Sequence, residues 1–443
     1  MNLIPFFLRS RAAALMAAIL FIAGCGSSDD KSNVQGTRIN PVTLFATIRT
    51  TAEQTASDAL KDWDWSSFIA NFGDLLFRAD YSLEMRKITY TSTGAEGTQQ
   101  TLSGLLILPV SGGSDKPAVP ILMYQHATQI YRPESPSQFL KNQDRPGDYP
   151  EVMVAAAIAA TGYAVAMPDF EGLGDNTNSH NFVHGASLAD QVIDMLKASR
   201  DIIGGTTSTC TWNNKLFLLG YSEGGYATMA ATRELQAGGE FTVTASAPLA
   251  GPHDLSGVMR QVILADQQYK APYFLPFILT SYNHAYASRT NSFSPAFALA
   301  PPYATTLPPL LDGTKKSDDI SRAMGMSFDP LVLIIPKSVL TEQFIALLAD
   351  DTSQVVTLLR ENDSYRGWTP AVPLRMIHHK DDDLVPFANS QVAFDAFSTA
   401  GAKRFVSLQE QDVALIIDSD ETVHFSAALP TLIDGWNWLR AQD

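Results

Sequence analysis

Between residues 85 and 250 the chain alternates two apolar patterns. Strands are expected at about 85–92 and 101–110, and short apolar runs follow at Val119 to Gln125, Tyr163 to Met167, Lys215 to Leu219 and Phe241 to Ala247. Such runs mark strands buried on both faces. Between them lie segments of helical spacing: an alanine-rich stretch from Val152 to Ala160 closed by Gly162, a segment opening at Ser187-Leu-Ala-Asp190 with Leu188, Val192, Met195 and Leu196 on one face, and a third with Ala227, Met229, Ala230 and Ala231. Alternation of this kind predicts an α/β fold, a mostly parallel twisted sheet with helices on both faces. The next apolar strand opens only at Val372, and a final amphipathic helix places Leu429, Leu432, Ile433, Trp436 and Leu439 on one side. The span from 250 to 372 is too long for a simple crossover and must form an insertion. It is rich in Tyr, Phe and Pro over 267–312 and helical over 337–360. The expected organisation is a core of residues 43–252 and 366–443, opening with helical segments over 43–78, and a helical lid over 253–365.

The strand at 215–219 ends in Gly220-Tyr-Ser222-Glu-Gly224-Gly225 and then turns helical. A serine at so tight a strand-to-helix turn needs small neighbours, which explains glycine on both sides, and the N–H groups opening the helix point toward its hydroxyl. Ser222 is the expected nucleophile. A hydroxyl needs a base to take its proton, and the base needs a carboxylate to hold its tautomer. On an α/β-hydrolase sheet the order along the chain is serine, acid, histidine. Of the eight histidines only His424 lies beyond the acidic loop Asp381-Asp382-Asp383, which follows the strand at 372. That order assigns His424 as base and leaves the acid within the three-residue run. One oxyanion donor should be the N–H of Glu223. The other should come from the loop after the Val119 strand, with His126 shaping the loop and the Ala127 N–H donating, Thr128 being the alternative. His253 and Cys210 read as buried structural residues.

Taken together, Tyr124-Gln-His-Ala-Thr128, Pro168-Asp-Phe-Glu-Gly-Leu-Gly-Asp175, Gly220-Tyr-Ser-Glu-Gly-Gly225, Asp382-Asp-Leu-Val-Pro386 and His424 resemble the secreted lipase/esterase-like α/β hydrolases over roughly residues 80 to 440. The resemblance implies a serine carboxyl-ester hydrolase with a helical lid before the acid strand and no cofactor or metal. Its Asp-x-x-Val-Pro acid loop selects Asp382 from the run. The chain departs from the pattern at Ala127, where relatives usually carry glycine. Two other readings remain: a secreted peptidase of the same fold, for which Glu171, Asp175 and Glu223 could supply charge, and a lipoprotein that binds ligands without catalysis.

Composition adds two constraints. The formal net charge of −15 opposes nucleic acid as a partner and suits neutral or cationic substrates. At the N-terminus, Arg9 and Arg11 precede an apolar stretch from Ala12 to Ala23 that is too short to span a bilayer comfortably, which reads as a signal peptide over 1–24. Its Ile22-Ala-Gly-Cys25 end resembles a bacterial lipobox, which implies a lipid on Cys25, a polar tether over 25–42, and attachment to a membrane of the cell envelope. With Cys25 lipidated, Cys210 has no disulfide partner. An apolar lid lining would favour a small-molecule ester with an apolar part.

Overall fold

The computed structural model describes residues 37–39, 80–328, 330–414 and 422–443. The expected signal peptide, the lipobox cysteine and the helical segments of 43–78 lie outside the described residues. Among the described residues nine strands form one sheet: β1 (Thr37–Ile39), β2 (Ser82–Thr93), β3 (Gln99–Val110), β4 (Ala118–Gln125), β5 (Ala164–Pro168), β6 (Thr211–Tyr221), β7 (Ala245–Leu249), β10 (Leu374–His379) and β11 (Val406–Gln411), with β8 (Ser327–Phe328) and β9 (Leu331–Val332) making a separate small hairpin. The order across the sheet is β1-β2-β3-β5-β4-β6-β7-β10-β11. β1, β2 and β3 run antiparallel to their neighbours, and every pair from β5 to β11 is parallel.

Helices α1 (Pro150–Ala160), α2 (Gly185–Gly204), α3 (Glu223–Gly238), α7 (Ala388–Thr399) and α8 (Ala428–Arg440) flank the sheet, while the insertion supplies α4 (Phe274–Tyr286), α5 (Glu342–Ala349) and α6 (Gln354–Glu361). Period-two alternation of the strand side chains divides the core between the two faces. One face packs α1 and α8, through Ile158, Leu432 and Trp436, onto Val165, Phe217 and Leu219. The other packs α2 and α3 onto Ala166, Leu216 and Leu218, and this cluster runs on without a break into the insertion through Phe277, Tyr282, Phe344 and Leu358. The insertion therefore shares the core of the sheet.

Two element boundaries differ from expectation. The strand expected at Phe241 to Ala247 is β7, which pairs with β6 only from Ala245, opposite Phe217, onward. Phe241 and Val243 are apolar because they plug the core beneath the loop, Phe241 lying beside Trp212. Helix α2 begins at Gly185, two residues before Ser187. The Ser187 hydroxyl bonds the His184 ring (2.7 Å) and Asn181 instead of capping, and a Cβ on Gly185 would press on the Tyr226 hydroxyl.

Candidate active site

The turn from β6 to α3 holds Ser222 at φ 59°, ψ −122°, a conformation costly for any residue with a side chain. Three glycines permit it. A Cβ on Gly220 would collide with the Gly224 carbonyl, one on Gly224 with the carbonyl of Gln125 at the end of β4, and one on Gly225 with the carbonyl of Leu249 at the end of β7. The start of α3 is thus wedged between two parallel strands, and the Ser222 N–H is anchored on the Leu249 carbonyl at 2.9 Å.

His424 reaches this turn from a short helix, Val423–Ser426, whose first turn is capped by the Thr422 hydroxyl. Its Nε2 lies 2.8 Å from Ser222 Oγ and its Nδ1 2.6 Å from Asp382 Oδ2. With an acceptor-only carboxylate on Nδ1, that nitrogen carries the proton and Nε2 accepts from the serine hydroxyl. Tyr221 packs against the imidazole and donates its hydroxyl to the His424 carbonyl at 2.6 Å, which fixes the ring from behind.

The acidic run separates cleanly. Asp382 is buried, and its Oδ1 accepts the N–H groups of Leu384 (3.0 Å) and Val385 (2.8 Å). Asp381 is exposed, and Asp383 is exposed too, pairs with Lys270 at 3.2 Å and meets the His424 backbone N–H, not its ring, at 3.4 Å. A second imidazole, His378, stands 3.2 Å from Asp382 Oδ2 while also contacting the Val385 carbonyl and the Ser390 hydroxyl. Burial alone would raise the Asp382 carboxyl, but the adjacent His424 and the hydrogen bonds from His378 and His424 outweigh it and hold the group well below the usual carboxylate range. Sequence reasoning missed His378, although its place four residues before the acid was open to view.

On the oxyanion side the Glu223 N–H opens α3, as expected from the turn. The Ala127 N–H, expected to be the second donor, is taken in this structure by both oxygens of Glu151, at 3.1 and 3.0 Å. Thr128 has no protein hydrogen-bond partner among the described residues. His126 bonds only backbone carbonyls, those of Ala127 and Asp169. His253 is buried against Ser364, its ring pushed down to about 3 by burial, and burial pushes the Cys210 thiol up to about 11.

Glu151 was not foreseen. It stands in the first turn of α1 with the Tyr124 hydroxyl as its other donor at 3.2 Å and no cation paired with it among the described residues. Burial, partly offset by the Ala127 N–H and Tyr124, pushes its carboxyl up to about 7. Among the described residues no group of three or more His, Cys, Asp or Glu side chains is placed to hold a metal ion. A cavity of about 140 Å³ opens on Ser222 and His424, lined by Thr128, Glu151, Met167, Leu432 and, from the insertion, Phe274 and Lys316.

Together the sheet order and this turn define an α/β hydrolase. Residues 148–241 match the secretory lipase family model. The fold is similar to that of the rice cell wall degrading esterase LipA from Xanthomonas oryzae, at 25% identity and a TM-score of 0.69, over 86% of this chain and 96% of that one. It also resembles Candida antarctica lipase A in fold, at 16% identity and a TM-score of 0.55, over 82% of this chain and 80% of the other. No curated protein matches the sequence. The chain is a lipase/esterase-like α/β hydrolase, an ester hydrolase.

The raised carboxyl of Glu151 generates a prediction. Its pKa is higher folded than unfolded, so stability is full below about 4.5 and falls as pH rises toward about 7. Glu151→Gln keeps an acceptor for Ala127 and removes the charge. Urea denaturation should find the variant more stable than wild type at pH 8, by on the order of 2 kcal/mol, with the gap closing by pH 4.5. Parallel stability profiles would show that Glu151 is not held in its neutral form.

Proposed function

We propose that this protein is an exported, lipid-anchored carboxylesterase that works through Ser222, His424 and Asp382 by way of an acyl-enzyme. The observation that carries the reading is the unbroken relay of 2.8 and 2.6 Å from serine to imidazole to carboxylate. Ser222 Oγ attacks the ester carbonyl as His424 Nε2 takes its proton, and Asp382 stabilises the imidazolium. The proton then passes to the leaving alcohol. Water, activated by the same imidazole, releases the acid and restores the serine. Negative charge on the tetrahedral oxygen is held by the Glu223 N–H and by the 127–128 loop. In that loop the Ala127 N–H would have to exchange Glu151 for the substrate, whereas the Thr128 N–H is already without an acceptor, so the geometry favours Thr128.

The cavity argues for small substrates. At about 140 Å³ it is close to the size of an apolar cavity that accepts a benzene-sized group of about six heavy atoms. Tyr273, Phe274 and Lys316 belong to the expected lid and line that cavity, which supports a substrate-facing role for the insertion. The peptidase reading gains nothing, because the acids it would use are occupied: Glu171 by Ala95 and Asn178, Glu223 by His180, and Asp175 by Lys87. Export accords with the secretory lipase match, and the lipobox supports attachment through Cys25.

Three outcomes are expected. On p-nitrophenyl esters of graded length, kcat/KM should peak at short acyl chains and exceed that on aminoacyl anilides; a maximum on long chains or anilides would refute the substrate class. Asp382→Asn should lower kcat by on the order of 10³ to 10⁴ with KM nearly unchanged, and Asp381→Asn and Asp383→Asn should cost little. Equal modest losses in all three would place the acid elsewhere. In cells, Cys25→Ala should abolish incorporation of a labelled fatty acid, and persistent labelling would rule out the lipobox.

A further inference from the structure

Directly behind the nucleophile turn lies an ionic pair that the hydrolytic relay does not use. The side chain of Glu223 is wholly buried, with Oε1 2.7 Å from His180 Nε2 and Oε2 without a protein partner among the described residues. His180 Nδ1 meets the Glu171 carbonyl at 2.8 Å. The ring nitrogens therefore face a carboxylate and a carbonyl, and opposite an ionised carboxylate only an imidazolium satisfies both. Phe277 of α4 stacks on that ring, with centroids 5.5 Å apart and planes 28° apart, as suits a cation over an aromatic face. The same helix is pinned to the His180 loop by Ser281 on the Phe182 carbonyl and Tyr282 on the Val183 carbonyl. One turn before Phe277, Phe274 stacks on Phe182 and lines the substrate cavity.

We infer that the His180–Glu223 ion pair is a positioning device, which fixes the Glu223 peptide N–H beside Ser222 and couples it to helix α4 of the insertion. The inference rests on reading Ser222 as the nucleophile. Glu223 is the first residue of α3, so the buried carboxylate and the peptide N–H that opens the helix belong to one residue, and holding the carboxylate in place restrains that peptide. A buried carboxylate with one donor cannot lose that donor in place, because the charge would be left unpaired. A ligand that presses on Phe274 acts on the same helix that clamps the imidazolium, so occupancy of the cavity and the set of the oxyanion donor are mechanically joined.

The charged groups around the pair fix the sign of its pH dependence. Glu223 on α3 and Glu171 on the His180 loop favour the imidazolium; burial opposes it, and the balance raises the His180 pKa above the ordinary histidine value. His126 at the end of β4 is held down chiefly by burial, and Asp169 beside it is raised by burial. On α4, His284 pairs with Glu96 at 3.1 Å and stands 3.9 Å from Glu171. A histidine raised on folding keeps its contribution below its unfolded pKa and loses it as pH rises through the folded one. An alkaline limb in kcat, above the ordinary histidine range, is the signature.

The test compares kcat and KM across pH for wild type, His180→Gln, Phe277→Leu and Ser222→Ala on one short-chain p-nitrophenyl ester, with active sites titrated. His180→Gln should lower kcat about tenfold or more, keep KM within about twofold and abolish the alkaline limb, an effect below the loss of a whole oxyanion donor. Phe277→Leu keeps both partners of the pair but removes the ring stacked on His180, and should move the limb to lower pH; this arm decides the matter if His180→Gln does not fold. Wild-type kcat and limb in His180→Gln, or an unmoved limb in Phe277→Leu, would overturn the ion pair as a positioning device. Turnover persisting in Ser222→Ala would instead sink the nucleophile reading beneath it.

Discussion

Everything at the site depends on how closely the start of α3 approaches the ends of β4 and β7. Gly224 and Gly225 lie against the carbonyls of Gln125 and Leu249, and Gly220 against the chain that follows the turn. That contact forces Ser222 into its left-handed turn, aims the first N–H groups of the helix at the reaction centre and leaves no room for side chains. The strain at one residue is borne by two strands buried on both faces of the sheet, which cannot yield without exposing the core. Rigid backing of this kind is what a preorganised oxyanion site requires.

Charge is distributed around that wedge by three carboxylates with different fates, two of them buried and Glu151 half-buried. Asp382 is surrounded by donors, two backbone N–H groups and two imidazoles, and stays ionised. Glu223 meets a single donor, the His180 ring. Glu151, with an N–H and a phenol but no cation, drifts toward neutrality. The same side-chain chemistry yields an orienting charge, a positioning charge and a titrating group, according to the donors each one meets.

The parts of this arrangement that are local in sequence were legible there. The glycine-flanked serine, the run of three aspartates and the alternation of strand and helix are short-range patterns with direct physical causes, and the parallel sheet follows from them. What could not be read depends on contacts between distant segments. Glu151 looked like an ordinary first-turn acid, and only the fold brings it under Ala127. His180 sits in a polar loop with no motif around it, and its pairing with Glu223 spans 43 positions of the chain. Phe241 and Val243 mimic a strand because a core plug and a buried strand use the same residues. The three aspartates look alike in sequence; the resemblance to other hydrolases singled out Asp382, and in the structure it is the one that turns its carboxylate inward.

The central claim is that Ser222 carries the acyl group. Rapid acid quench of the protein with a short-chain p-nitrophenyl ester, followed by intact-mass and peptide mass spectrometry, measures this directly. The account predicts a mass increase equal to one acyl group, on the peptide containing Ser222, forming during the burst of p-nitrophenol and absent from Ser222→Ala. A burst whose acyl group maps to any other residue, or steady turnover in Ser222→Ala, would contradict it.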